Sequence, residues 1–251
     1  MIDSARTTLV LVHGAWHGAW CWERLTPHLE RRGLAARTLD LPSVHGDSPA
    51  RPREGQADGH GGGHAEARAE RGLVADAAAV RALVDSVPGR IAICGHSYGG
   101  MAISLAAAGH ERVSRLIFLA AFMPEEGQSL VDMRGRRHAS FVQMLEGGLT
   151  RPDPARAPEM FYGDCDAATR AWALAQLLPQ QALAFVQPVP HPAWREIPSA
   201  YIVCKRDRTI SPQWQRERFA PRARRSIELD SGHSSFLSQP EALAEALADL
   251  V

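Results

Sequence analysis

The sequence lacks an excess of charge, because 28 lysine and arginine residues balance 28 aspartate and glutamate residues. A neutral chain exerts no bulk attraction on nucleic acid or anionic lipid, so we expect neither as a partner. The sequence also lacks a run of about 18 apolar residues that could cross a bilayer. Its first residues lack the basic and then apolar pattern of a secretory signal. We therefore expect a cytoplasmic protein that does not bind membranes.

Paired cysteines are missing as well. The four cysteines are widely spaced and form no C-x-x-C pair: Cys21, Cys94, Cys165 and Cys204. This spacing argues against a zinc site and against a disulfide framework. Two of them, Cys94 and Cys204, end apolar runs, and we interpret them as small buried hydrophobic residues.

The chain has enough apolar residues for a sizeable core, since 45% of its 251 residues are hydrophobic. A chain of this length buries about 70% of its surface on folding. Short apolar runs that resemble buried strands recur at 9–12, 35–39, 91–94, 113–121, 200–204 and 226–229. Helical patterns separate them, for example at 73–87 and 240–251. This alternation predicts a doubly wound, mostly parallel α/β sheet with right-handed crossovers.

The segment 42–72 interrupts the alternation. It contains no leucine, isoleucine, methionine or aromatic residue, so it cannot bury enough apolar area to offset its ordering entropy, and we predict a long, mobile surface loop. His60 and His64 have the spacing of metal ligands on a helix, but the three glycines between them argue against a helix there. We therefore interpret them as solvated histidines and expect no metal.

The segment 123–197 also departs from the alternation. It has proline-rich ends, helical patches such as 168–178, and no convincing strand. We predict a mostly helical lid inserted into one catalytic domain that spans 1–251 and has a core formed by 1–122 and 198–251.

A candidate nucleophile lies in Gly95-His96-Ser97-Tyr98-Gly99, which matches G-x-S-x-G. A predicted strand precedes this motif and a predicted helix follows it. That context is the one in which a serine is held on a strained strand-to-helix turn, with glycines where chains pass closely. We therefore predict that Ser97 is a nucleophile.

A serine hydroxyl needs a base and an orienting carboxylate, in the chain order serine, acid, histidine. His233 follows the last predicted strand, and Asp207 follows the strand at 200–204. The carboxyl ends of parallel strands share one edge of the sheet, so these side chains are expected to meet Ser97 there. The rival histidines and acids precede the serine, lie at a helix end or in the insertion, or stand beside a candidate: His13, His17, Asp40, His96, His110, His138, Asp164, Asp166 and Asp230.

The negative oxygen of an acyl-transfer intermediate needs N–H donors. We expect one donor to be the backbone N–H of Tyr98, which follows the nucleophile. For the second we choose the backbone N–H of Ala15, in the loop after the first strand. A plain strand-ending turn at His13-Gly14 is the open alternative.

Three collinear motifs carry a resemblance to a known family. They are the stretches 11–22 (LVHGAWHGAWCW), 95–101 (GHSYGGM) and 118–124 (FLAAFMP). They resemble the plant methylesterases and hydroxynitrile lyases of the α/β-hydrolase superfamily, and their bacterial esterase relatives. The likeness runs over almost the whole chain, but the segment 42–72 is longer and richer in glycine and histidine than the family leads us to expect.

The resemblance implies a triad of Ser97, Asp207 and His233, an oxyanion hole from Ala15 and Tyr98, and a helical lid over an apolar pocket, with no cofactor. Aromatic residues proposed for this pocket are Trp16, Phe122, Phe161 and Trp172. Hydroxynitrile lyases of the group carry a threonine after the first histidine and a lysine beyond the catalytic one. This chain has Gly14 and Ser234 there, so no cation is supplied for departing cyanide.

The departure favours ester hydrolysis, and we expect a serine carboxylesterase for small, largely apolar esters. Two alternatives stay open. One is a lyase or cyclisation catalyst that uses the same triad, and the other is a receptor that keeps the fold for ligand recognition. The oligomeric state also stays open, a homodimer included.

Overall fold

A parallel sheet of six strands organises the chain. The computed structural model describes residues 7–44, 71–134 and 141–251. In chain order its strands are β1 Thr8–Val12, β2 Ala35–Thr38, β3 Ile91–His96, β4 Val113–Leu119, β5 Val142–Met144, β6 Leu149–Pro152, β7 Gln180–Gln181, β8 Ser199–Cys204 and β9 Arg225–Leu229. The large sheet has the order β2-β1-β3-β4-β8-β9, and its strand pairs are all parallel. The predicted α/β fold class is therefore confirmed.

Helices connect these strands. The α-helices are α1 Thr26–Arg31, α2 Leu73–Ser86, α3 Gly99–Ala106, α4 Leu130–Arg134, α5 Ala157–Tyr162, α6 Ala167–Ala175, α7 Leu183–Val186, α8 Pro212–Trp214, α9 Ser235–Ser238 and α10 Pro240–Leu250. Short 3-10 turns occur at Ala19–Trp22, Glu146–Gly148, Ala193–Arg195 and Ala220–Arg222, and a π-helical turn at Gln215–Phe219. Among the described helices, none is both long and apolar enough to cross a bilayer.

Burial explains which strands the sequence shows clearly. Every residue of β3 and of β8 is buried, as expected for continuous apolar runs covered on both faces. The edge strands β2 and β9 contain no fully buried residue. The four cysteines are buried and free of disulfides, as their spacing predicted.

The strand order places a crevice between β1 and β3. From β1 the chain runs outward to β2 and then returns to β3 on the other side, so the winding reverses between these two strands. In open α/β sheets, ligands bind outside the carboxyl ends of the strands at such a switch point. The segments that leave β1 and β3 there contain Ala15 and Ser97.

The insertion differs from its prediction. It contains helices α4 to α7, and the predicted patch at 168–178 corresponds to α6, but β5, β6 and β7 form an antiparallel sheet inside it. The expectation of no convincing strand was wrong. These strands have two to four residues each, too few for an alternating pattern to emerge. The signal in the sequence was the pair Gly147-Gly148. These glycines form the turn before β6 and adopt φ of 67° and 72°.

Two further expectations need correction. The apolar spacing at 20–29 predicts a single helix, but the chain forms a 3-10 turn there and then the separate helix α1, in whose first turn Pro27 has no N–H to donate to a preceding carbonyl. The segment 42–72 was predicted to be a loop. Most of it, from 45 to 70 and including His60 and His64, lies outside the described residues. Its described start is not solvated, since Ser43 is fully buried.

Candidate active site

Ser97 lies on a strained turn between β3 and α3. Its φ is +52°, a left-handed conformation that is costly for a residue with a Cβ. The turn is held by neighbouring backbone: Ser97 N donates to Leu119 O at 3.2 Å, and Phe122 N donates to Ser97 O at 3.1 Å. A Cβ on Gly99 would lie 2.6 Å from Val12 O. The glycine lets α3 approach β1 and so sets the position of Ser97.

The structure brings the two other predicted triad residues together. His233 Nδ1 lies 2.7 Å from Asp207 Oδ2, and both side chains are buried. Asp207 Oδ1 accepts hydrogen bonds from the N–H groups of Thr209 at 2.7 Å and Ile210 at 3.0 Å. Asp207 Oδ2 also accepts from Gln215 Nε2 at 2.9 Å. Because a carboxylate only accepts, Nδ1 of His233 is the donor, which leaves Nε2 as an acceptor.

Other rings surround the His233 side chain. His96 Nε2 donates to the carbonyl oxygen of His233 at 3.0 Å, and the ring centroids are 4.5 Å apart. Burial lowers the pKa of His96 well below its usual value, so this ring stays neutral. The ring of Phe161 stacks on His233 at 5.9 Å between centroids. These contacts restrict the orientation of His233.

The rival histidines near β1 have structural partners. His17 Nδ1 donates to Ala15 O at 2.7 Å, and Tyr162 Oη donates to His17 Nε2 at 2.8 Å. Burial lowers the pKa of His17 to about 3. His13 Nε2 accepts from Leu41 N at 3.0 Å, and burial lowers its pKa as well. Both rings are therefore neutral and hold the loop after β1 in place through their hydrogen bonds.

Ala15 and Tyr98, whose backbone N–H groups are the predicted oxyanion donors, lie at the same cavity as Ser97 and His233. Within the part of the chain that the structure describes, neither backbone N–H donates to a protein acceptor. A Cβ on Gly14 would lie 2.9 Å from Ser97 Cβ, so the missing side chain lets the Ala15 loop come close to the serine.

A buried polar chain lies behind these two N–H groups, and we call it the Asp76 network. Trp16 N donates to Gln180 Oε1 at 3.0 Å, and Gln180 Nε2 donates to Ser43 Oγ at 2.8 Å. Ser43 Oγ and Tyr98 Oη each donate to Asp76 Oδ2 at 2.6 Å. The network joins the residue after Ala15 to the side chain of Tyr98. Its members are scattered from 16 to 180, so no local motif revealed them.

Burial raises the pKa of Asp76, and its hydrogen bonds from Ser43 and Tyr98 act in the opposite direction. We predict that Tyr98→Phe lowers the free energy of unfolding by about 2 kcal/mol at pH 8, because it removes a hydrogen bond to a carboxylate. Tyr201→Phe is the matched control. Its buried hydroxyl donates to a neutral acceptor, Ala121 O, at 2.8 Å, so a loss of about 1 kcal/mol is expected. Urea unfolding measures both, and equal losses would contradict a charged Asp76.

Three of the four predicted pocket aromatics line the cavity: Trp16, Phe122 and Phe161. The prediction for Trp172 was wrong. Its ring packs edge-on against Trp20 at 5.3 Å and beneath Arg24 at 5.6 Å, outside the described cavity lining. The lining residues that the sequence did not suggest are Leu130, Arg134, Phe185 and Thr209.

A family model described as the alpha/beta hydrolase family matches residues 9–246. The chain belongs to this family. This α/β-hydrolase is 29% identical to the pyrethroid hydrolase of Sphingobium wenxiniae over 97% of its own length and 87% of that protein's length. It is 26% identical to methylesterase 2 of Arabidopsis thaliana, covering 85% of this chain and 83% of that one.

Solved structures agree with this membership. The crystal structure of a pyrethroid hydrolase from Sphingobium faniae is 27% identical to this α/β-hydrolase, with a TM-score of 0.76 over 98% of this chain and 97% of that chain. Polyneuridine aldehyde esterase has a TM-score of 0.78 over 97% of this chain and 98% of that chain, at 22% identity, and shows the fold alone. The family resemblance drawn from the sequence motifs is confirmed.

Proposed function

We propose that this α/β-hydrolase is a serine carboxylesterase. The observation that carries the proposal is the shared cavity of Ser97 and His233, together with the hydrogen bond from His233 Nδ1 to Asp207. The esterase and hydrolase names of its relatives support the same reaction.

His233 Nε2 removes the proton from Ser97 Oγ as this oxygen attacks the ester carbonyl. Asp207 holds the imidazole and stabilises its cation. The N–H groups of Ala15 and Tyr98 donate to the oxyanion. His233 then gives its proton to the leaving alcohol, and the acyl group stays on Ser97. A water molecule, deprotonated by His233, releases the carboxylic acid and restores the serine.

The insertion at 123–197 acts as a lid in this proposal, because Leu130, Phe161 and Phe185 contribute apolar walls to the cavity. These walls suit a small ester whose acyl or alcohol group is largely apolar. The chemistry needs no cofactor. Ser234 stands where a lyase of the family would require a cation, and it is fully buried, so that position supplies no charge for departing cyanide.

Labelling with a fluorophosphonate tests the proposal directly. We expect one adduct per chain, located on Ser97 by mass spectrometry of peptides, and we expect none in Ser97→Ala. Labelling should slow strongly in His233→Ala, because the serine then lacks its base. Methyl esters of short acids should be hydrolysed by the unmodified protein. An adduct that His233→Ala leaves unaffected, or cyanide release from a cyanohydrin without ester turnover, would reject the esterase mechanism.

A further inference from the structure

A half-buried arginine lines the cavity that contains Ser97. Arg134 is the last described residue of α4 and lines the cavity together with Ser97 and His233. Its guanidinium lies over the rings of Phe141 at 4.9 Å and Phe122 at 5.4 Å. Its Nε is buried and has no hydrogen-bond partner in the part of the chain that the structure describes. Aromatic faces therefore hold this charge at the cavity wall.

The carboxylate whose charge acts on Arg134 is already engaged. Asp207 favours the charged form of Arg134, but its Oδ1 accepts two backbone N–H groups and its Oδ2 accepts from Gln215 and His233. Among the described residues, no ion pair includes Arg134. Ion pairs between described residues are seen for other arginines, among them Arg112, Arg195, Arg206, Arg208, Arg216, Arg222 and Arg225.

Without an ion-pair partner among the described residues, the Arg134 guanidinium would be stabilised by a ligand that binds to it. Burial lowers the pKa of Arg134 to about 10, so the side chain is still charged near neutral pH. A buried charge without a counter-ion loses solvation that cation–π contacts only partly replace. The described lining of the cavity contains no aspartate or glutamate. An anionic group on a bound ligand would supply the missing acceptor, and a guanidinium binds a carboxylate with two parallel hydrogen bonds.

We propose that Arg134 is a specificity-determining residue that binds a free carboxylate on the substrate. This inference rests on the proposed esterase function and names its substrate class, which is an ester that also carries a carboxylate, such as the monoester of a dicarboxylic acid. The ester carbonyl lies at the N–H groups of Ala15 and Tyr98. The carboxylate at the other end of the acyl chain contacts Arg134, and the apolar walls contact the methylene groups between them.

Pairs of methyl esters that differ in one group test this assignment. Monomethyl succinate, glutarate and adipate are compared with methyl butyrate, valerate and hexanoate, in which a methyl group replaces the carboxylate. For the best-fitting length we expect kcat/KM to favour the charged ester by about 10-fold or more, the size of one hydrogen bond between charged groups. The gain should appear mainly in KM and should shrink as NaCl is added.

Variants at Arg134 separate binding from packing. Arg134→Met keeps an apolar stem between the two rings, and we expect it to lose the preference for charged esters, measured as the ratio of kcat/KM within each pair. Arg134→Lys should keep part of the preference, since an ammonium binds as a point charge. Arg218→Met is the matched control, because Arg218 lies over Trp214 at 5.8 Å and does not line the cavity. It should keep the full preference.

Two failures can be told apart. Absent labelling of Ser97 and absent turnover of every ester would reject the esterase function itself. Normal labelling and turnover of neutral esters, with no preference for the charged partner at any length, would overturn only the role of Arg134. A preference that persists in Arg134→Met would overturn it as well. If Arg134→Met does not fold, Arg134→Lys provides the test. A preference for charged esters that stays the same in Arg134→Lys when NaCl is raised would contradict the role of Arg134.

Discussion

Replacing Asp207 by asparagine is expected to lower kcat for ester hydrolysis by about 10⁴-fold, with little change in KM. Asp207 Oδ1 accepts two backbone N–H groups, from Thr209 and Ile210. The carbonyl oxygen of an asparagine must occupy that position, because its NH₂ group would face two donors there. The NH₂ group then points at His233 Nδ1 and forces the proton onto Nε2. A histidine with a protonated Nε2 cannot take a proton from Ser97.

Asp230→Asn is the control for this substitution. Asp230 was the rival acid closest to His233 in the sequence, but its carboxylate is exposed and pairs with Arg206 at 3.3 Å. We expect kcat within about 2-fold of the unmodified protein, since an exposed ion pair contributes little. Single-turnover kinetics and a circular dichroism spectrum would show whether Asp207→Asn is folded and slow. Comparable losses in the two variants would assign the orienting role to the wrong aspartate.

The Asp76 network connects the insertion at 123–197 to Trp16, which follows Ala15, and to the side chain of Tyr98. Gln180 belongs to β7 in the insertion, and it accepts from Trp16 N while donating to Ser43. Trp16 Nε1 also donates to Thr150 of β6 at 3.0 Å. The small antiparallel sheet therefore anchors the loop that carries Ala15. A displacement of this sheet would move that N–H relative to Ser97, so the insertion influences the geometry of the reaction besides covering it.

The three residues that we propose as a triad could be selected from the sequence because their positions follow from local rules. Ser97, Asp207 and His233 each come shortly after a strongly apolar strand, and parallel strands end at a common edge. The motif around Ser97 also contains glycines, which are required because a larger side chain would clash with neighbouring backbone. Nothing about these three inferences required knowledge of how the insertion packs. The same holds for the central strands, whose continuous apolar runs reflect burial on both faces.

Arg134, Asp76 and Gln180 could not be predicted in this way. Their importance depends on which side chains meet across large separations in sequence, as with Trp16 and Gln180, which are 164 positions apart. An arginine in a basic, polar stretch such as 134–138 looks like a solvated residue until its neighbours in the fold are known. Trp172 shows the opposite error, because an aromatic residue in a lid can pack on Trp20 as well as on a substrate. Neutral net charge argued against nucleic acid and anionic lipid as partners, and it said nothing about a single charge at the cavity wall.

Gly99→Ala is expected to lower the free energy of unfolding by about 3 kcal/mol or more. An added Cβ would lie 2.6 Å from Val12 O and 2.7 Å from His13 O. Both atoms belong to backbone at the end of β1, which cannot rotate away as a side chain could. Helix α3 must therefore move from the sheet and carry the Ser97 turn with it, so labelling by a fluorophosphonate should slow along with the loss of stability.

Gly127→Ala separates this steric effect from backbone preference. Gly127 has φ of +75° and no atom within 4 Å of an added Cβ, so the substitution costs only left-handed strain of about 1 kcal/mol. It should leave labelling of Ser97 unchanged. Urea unfolding of the two variants measures the difference. Equal losses in the free energy of unfolding would mean that the close approach of α3 to β1 is not the reason why glycine is required at position 99. If Gly99→Ala is the less stable of the two yet labels at the normal rate, the position of Ser97 does not depend on that approach.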